Sequence, residues 1–242
     1  RECRGVCTDP FRMIELLNVD CLSYMRTLPD KAFDLAIVDP PYGIGIVDAI
    51  KKSTVPGTSN MFKQSKGGAG ANFDTNIPSS EYFVELKRVS VHQVIWGGNY
   101  FLDFLGSTSG FAVWDKMNGT NPMADVELAW QSMDKSSKMF RMHHFSHGYG
   151  DKIHPTQKPV ALYRWLLKNY AKPGQRILDT HLGSGSIAIA CDLEGFDLVG
   201  CEIDADYIAG ARKRLTDHQS APRLFAPDAA PIAEQLTIEQ TP

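Results

Sequence analysis

Apolar runs and the residues that punctuate them divide the chain into alternating strands and helices. Leu35-Ala36-Ile37-Val38 is unbroken and apolar and closes at Asp39-Pro40-Pro41-Tyr42. That is the pattern of a strand buried on both faces and ended by a turn. Residues 13–17 read as a short strand and 20–28 as a helix, which completes a βαβ unit with the strand at 33–38. Further on, 79–89 predicts a helix, 93–96 and 111–114 predict strands, and 127–131 with 138–142 predicts a hairpin. Between 159 and 170 the apolar positions Val160, Tyr163, Leu166, Leu167 and Tyr170 share one face of a helix, with Pro159 in its first turn. The chain then reads βαβα: strand 176–179, helix 186–194 stopped by Gly195, strand 197–202 and helix 204–215.

Composition narrows the class. With 242 residues, 43% of them apolar and 22% charged, the chain suits one substantial core rather than two domains. One domain is expected over residues 1–215, with a long, mobile loop at 43–74 and an irregular insertion at 115–153. Residues 216–242 are expected to form an acidic, flexible tail. The net charge of −3 resides there: from position 217 on, Asp217, Asp228, Glu234 and Glu239 face Arg223 alone. No window approaches the roughly 18 continuous apolar residues of a membrane span, and the start has no signal-like apolar region, so a soluble, cytoplasmic protein is expected. Five scattered cysteines read as reduced thiols. Neither they nor His143, His144 and His147 carry the companion ligands of a metal site, and none is expected.

Two strand ends carry chemistry. Asp39-Pro40-Pro41-Tyr42 offers an anionic acceptor, two prolines of fixed φ and an aromatic face, which together suit the exocyclic amino group of a flat base. Gly183-Ser184-Gly185-Ser186-Ile187-Ala188 fits G-x-G-x-x-A between a strand and a helix, with Glu202 about twenty residues on as a ribose-binding acid should be. A dinucleotide dehydrogenase shares this pattern. Here only one strand follows the glycine turn, so the amino-terminal half must supply most of the sheet and the nucleotide-binding half comes last.

The order Asp-Pro-Pro-Tyr, then His154-Pro155-Thr156-Gln157-Lys158-Pro159, then Asp179-x3-Gly183-x-Gly185 and Glu202-Ile203-Asp204-x2-Tyr207 resembles the permuted β-class of S-adenosylmethionine-dependent DNA amino-methyltransferases. The resemblance spans about residues 12–215. It implies an α/β fold, a Rossmann-like, seven-stranded mixed sheet with helices on both faces and a circularly permuted motif order. It implies S-adenosylmethionine as cofactor, with Gly183 and Gly185 beneath it, Asp179 beside its methionine moiety and Glu202 on its ribose. Asp20 would meet the adenine amino group, and Thr156 and Lys158 the methionine carboxylate. The sequence departs from the usual Asp-Pro-Phe-x-Gly-x-Gly in carrying Thr180 and His181 for Pro-Phe, with Leu182 before Gly183. His181 is tempting as a base, but a supporting role is preferred.

At the target end, Asp39 and the Pro40 carbonyl would accept the two amino hydrogens, and Tyr42 would stack on a base turned out of the duplex. The activity implied is methylation of the adenine N6 amino group in double-stranded DNA. Cytosine N4 methylation is the nearest alternative, and members acting on cytosine more often resemble Ser-Pro-Pro-Tyr. A protein-glutamine methyltransferase, usually Asn-first and with its cofactor half ahead, fits less well. A silent DNA-binding subunit of the same fold is a further alternative. Candidate DNA contacts are Lys51, Lys52, Lys63 and Lys66 at phosphates and Lys116, Asn118, Asn121, Arg141, His143, His144 and His147 at base edges. A homodimer, acting in a bacterium or encoded by a phage, completes the expectation.

Overall fold

A computed structural model describes residues 13–45, 77–119, 124–143 and 157–221. Strands β1 (Ile14–Asn18), β2 (Phe33–Val38), β3 (Ser90–Trp96), β4 (Phe111–Asp115), β5 (Val126–Gln131), β6 (Lys138–Arg141), β7 (Arg176–Asp179) and β8 (Asp197–Glu202) form one sheet in the order β1-β8-β7-β2-β3-β5-β4-β6. The first five in that order are parallel; β5 runs antiparallel to both β3 and β4, and β6 lies parallel to β4.

Alternation within the central strands explains the layers. Leu35 and Ile37 of β2, Val94 and Trp96 of β3, Ile177 of β7 and Leu198 of β8 point into one core. Helices α4 (Val160–Tyr170), α5 (Ser186–Glu194) and α6 (Ala205–Ser220) cover that face. Ala36, Val38, Ile95, Leu178 and Val199 point into the other core, under α1 (Cys21–Arg26), α2 (Ser80–Val89) and the short α3 (Leu102–Leu105). Both faces are therefore dry, which is why β2 reads as a continuous apolar run. Burying each large aliphatic or aromatic side chain contributes about 1.5–3 kcal/mol, and Ile37, Ile95, Trp96 and Leu166 are wholly buried.

Three expectations are corrected. Among the described residues the sheet has eight strands rather than seven, with β1 and β6 at its edges. Residues 127–131 and 138–142 do not form a hairpin, because β5 and β6 pair with opposite sides of β4. The reason is the connection between them, which crosses the start of β4 against Gly110. A Cβ at Gly110 would lie 2.5 Å from both the Lys135 carbonyl oxygen and the Ser137 nitrogen. Ser137 Oγ accepts the Phe111 N–H at 2.9 Å, so the crossing is pinned by hydrogen bonding as well as by close approach. Helix α6 also continues to Ser220, beyond the expected 215.

Candidate active site

Parallel pairing sets the site. β2 pairs with β7 through Leu35↔Ile177 and Ala36↔Leu178, and β7 pairs with β8, which pairs with β1. Their carboxyl ends therefore emerge side by side, carrying Asp39, the turn Asp179 to Gly185, Glu202 and Asp20. Open parallel sheets bind ligands along such an edge.

At the end of β2, Asp39 is held from two directions. Tyr42 donates its hydroxyl to Asp39 Oδ1 at 2.5 Å, and Lys158 Nζ lies 2.5 Å from Oδ2 and 3.3 Å from the Tyr42 hydroxyl. Lys158 precedes α4 and is 4% exposed at its side chain; its ammonium also meets Glu127 Oε2 at 3.2 Å and sits over the Trp96 ring at 5.2 Å. Glu127, in β5, takes Lys116 on its other oxygen at 2.7 Å. Lys116, Glu127, Lys158 and Asp39 thus form a line of alternating charge. Burial alone would drain charge from Lys158, but Asp39 and Glu127 outweigh it and raise its pKa. Burial would likewise raise Glu127, but Lys158 and Lys116 bring it down to about 2. Burial and the Asp39 charge push the Tyr42 hydroxyl well above its usual range, so it stays a donor.

Tyr42 is fixed on several sides. Tyr100 stacks on it with centroids 5.3 Å apart, Phe101 meets it edge-on, and Gly97 lies so close that a Cβ there would fall 2.2 Å from its Cε1.

The neighbouring turn is held by Glu202, whose Oε2 accepts the Gly183 N–H at 2.8 Å and whose Oε1 accepts the Asp204 N–H at 2.9 Å. Gly183 and Gly185 have φ of +51° and +72°. At Gly185 the missing Cβ also admits α6, since a methyl would lie 2.8 Å from Ala211 Cβ. Asp179 is 1% exposed and accepts the His181 N–H at 3.0 Å; burial raises its carboxyl to about 8, with Asp39 and Glu202 adding to the effect. His181 shares its Nδ1 with Thr180 Oγ1, which meets the Tyr82 hydroxyl at 2.7 Å. Burial lowers its pKa to about 4, so the ring is neutral near pH 7.

Residues 95–213 match the model of a DNA methylase family, the N6/N4 methyltransferases. The chain is a DNA methyltransferase of the N6/N4 family. This methyltransferase is 24% identical over 242 residues to YubD of Escherichia coli (strain K12), a methylase by assignment; the match covers 86% of the chain and 93% of YubD. Its fold is similar to that of M1.HpyAVI in its S-adenosylmethionine complex, with a TM-score of 0.59 at 22% identity over 84% of this chain and 99% of that one. It is also similar in fold to the cytosine-N4-specific PvuII DNA methyltransferase, with a TM-score of 0.55 at 13% identity, covering 86% and 92%.

Of the expected site residues, the methyltransferase joins Asp39, Pro40, Tyr42 and Lys158 in one cluster and Asp179, Gly183, Gly185 and Glu202 in the next. Lys158 faces Asp39. Asp20 caps α1 by accepting the Ser23 N–H at 2.8 Å and lies near enough to His181 to influence its charge. Lys116 turns inward to Glu127, Asn118 donates to the Ala124 carbonyl, and Arg141 pairs with Asp115 at 3.1 Å while remaining largely exposed. His143 is half-buried at the end of the described stretch. Thr156, Asn121, His144, His147, Lys51, Lys52, Lys63 and Lys66 lie outside the described residues. Sequence reasoning missed Glu127, Trp96, Gly97 and Tyr100. A lone acid inside the run Val126-Glu127-Leu128-Ala129-Trp130 was the available sign of an inward charge.

Proposed function

We propose that the chain transfers the methyl group of S-adenosylmethionine to the N6 amino group of adenine in double-stranded DNA, with the target base turned out of the helix. The observation that carries this reading is the pairing of β2 with β7, which sets the Asp39 turn beside the Asp179–Gly185 turn on one sheet edge. The cofactor suits the second turn. Glu202, a half-buried residue, spends one lone pair of each oxygen on the Gly183 and Asp204 N–H groups and keeps others for ribose hydroxyls. When bound, S-adenosylmethionine supplies a methyl carbon activated by its sulfonium charge, so the N–C bond forms as the C–S bond breaks and its electron pair stays on sulfur.

The protein's task is placement and charge. Asp39 accepts one amino hydrogen and the Pro40 carbonyl the other, which turns the nitrogen lone pair toward the methyl carbon. Positive charge then grows on the nitrogen, and the nearby carboxylate stabilises it until the surplus proton leaves to solvent. Tyr42 orients Asp39 through its hydroxyl and presents an aromatic surface, with Tyr100, to the extruded base. Asp39, where members acting on cytosine more often resemble Ser, favours adenine; the PvuII enzyme's similar fold makes cytosine N4 the second reading. Residues 43–74 and 115–153 are assigned to DNA contact, 1–215 to the catalytic domain, and a homodimer to the working assembly.

The test is Asp39→Ala assayed on duplexes in which only adenine or only cytosine is available, with the modified base identified by mass spectrometry. Wild type should yield N6-methyladenine alone, and the variant should lose transfer while binding cofactor within a few-fold of wild type. N4-methylcytosine as the product would select the second reading. Parallel loss of cofactor affinity and transfer would make Asp39 a structural residue.

A further inference from the structure

Lys158 poses a problem for the reading above, on which this inference rests. Its ammonium sits 2.5 Å from the carboxylate proposed to stabilise a growing positive charge. A buried one-to-one pair is close to neutral as seen from the amino nitrogen, and the fixed cation would oppose the transfer. The surroundings supply a second carboxylate. Glu127 Oε2 stands 3.2 Å from the same ammonium, and Glu127 remains ionised through its two lysine neighbours.

We propose that Glu127 is a positioning residue for methyl transfer: it shares Lys158 with Asp39, so that Lys158 orients Asp39 without cancelling its charge. The geometry gives each member a distinct part. Lys158 fixes one oxygen of Asp39 and Tyr42 the other, which sets the plane of the acceptor. Glu127 draws the ammonium toward β5 and makes the Asp39–Lys158–Glu127 group net negative; Lys116 brings the whole line of four to zero, but it pairs with the Glu127 oxygen turned away from Lys158 and stands at the far end of the line from Asp39. Lys116, beyond Glu127, holds that carboxylate in place from the far side at 2.7 Å. The Trp96 ring beneath the ammonium leaves it little freedom to move elsewhere. A bland alternative exists, in which Glu127 merely neutralises Lys116 and Lys158 and keeps them buried.

Three variants separate the two. Glu127→Gln should lower kcat by on the order of tenfold or more, with KM for DNA and cofactor affinity within about threefold. Glu127→Asp, which keeps the charge, should retain more kcat than Glu127→Gln. The double variant Glu127→Gln with Lys116→Gln removes a matched pair, guards against misfolding from an unpaired lysine, and should still lose kcat. Full kcat in the double variant, or in a folded Glu127→Gln protein, would overturn the proposal. So would equal kcat in Glu127→Gln and Glu127→Asp. Transfer by Asp39→Ala at the wild-type rate would instead defeat the underlying reading, whereas an inactive Asp39→Ala beside a fully active Glu127→Gln would defeat this inference alone.

Discussion

Replacing Gly97 with alanine tests whether the placement of Tyr42 is built into the scaffold. Gly97 follows β3 with φ of +65°, its N–H donates to the Leu128 carbonyl at 2.9 Å and its carbonyl accepts from Tyr100 at 2.8 Å. Those bonds prevent the backbone from drawing back. The left-handed conformation costs an alanine about 1–2 kcal/mol. The new methyl would also fall 2.2 Å from Tyr42 Cε1, and Tyr42 cannot slide without losing its bond to Asp39 or its stack on Tyr100. Overpacking of that kind adds about 1–3 kcal/mol, for a total of about 2–5 kcal/mol. Gly174→Ala is the control. Gly174 has φ of +82° and open space around its missing Cβ, and it lies ahead of β7, at the sheet edge opposite the site. It should lose only about 1–2 kcal/mol and keep its activity. Urea unfolding measures the stabilities, and methyl transfer with cofactor calorimetry measures the site. Gly97→Ala should lose transfer while still binding cofactor, because Glu202 and Gly183 are untouched. Equal stability losses for the two variants, with activity intact in both, would refute the claim that Gly97 locks Tyr42.

The fold was legible where burial is two-sided. β2, β7 and β8 announce themselves as apolar runs ending in Asp39, Asp179 and Glu202, and Gly195 marks the end of α5 because the helix closes there with a left-handed residue at φ +85°. Strand partnership at the far edge was not legible, because alternation says which face a residue takes and nothing about its neighbour. The 132–137 connection passes against Gly110 and is held to Phe111 by Ser137, and β6 then pairs with the far side of β4. The same limit applies to the site. Asp39, Gly183 and Glu202 sit in motifs that name their chemistry locally. Glu127 and Tyr100 act through contacts made across the sheet, to Lys158 and Tyr42, which no local spacing encodes. Lys116 shows the converse: a basic residue in an irregular, polar stretch reads as a DNA contact, and its ammonium is turned to the half-buried carboxylate of Glu127 and lies 5.8 Å from the Trp114 ring centroid.

Two predictions remain. Lys158→Met should leave Asp39 and Glu127 facing each other without their shared cation; breaking a buried pair this way costs about 3–5 kcal/mol, and urea unfolding should show it together with loss of transfer. Asp179 gives a pH signature whose sign follows from its burial. Its carboxyl titrates near 3.8 when unfolded and is raised to about 8 when folded, so across that interval the folded chain holds a proton that the unfolded chain has released. Stability from this group is therefore greatest at low pH and falls as pH rises toward 8. His181, ordinarily near 6.5 and lowered to about 4, gives the opposite slope between those values, and Glu127, ordinarily near 4.5 and lowered to about 2, does so at still lower pH. The window from pH 6.5 to 8 avoids both. Asp179→Asn carries no ionisable group, so its unfolding free energy relative to wild type should climb steadily across that window in ligand-free protein. Parallel curves for the two proteins from pH 6.5 to 8 would mean that Asp179 is already ionised in the folded chain, and that the desolvation assigned to it at the end of β7 is offset by a partner.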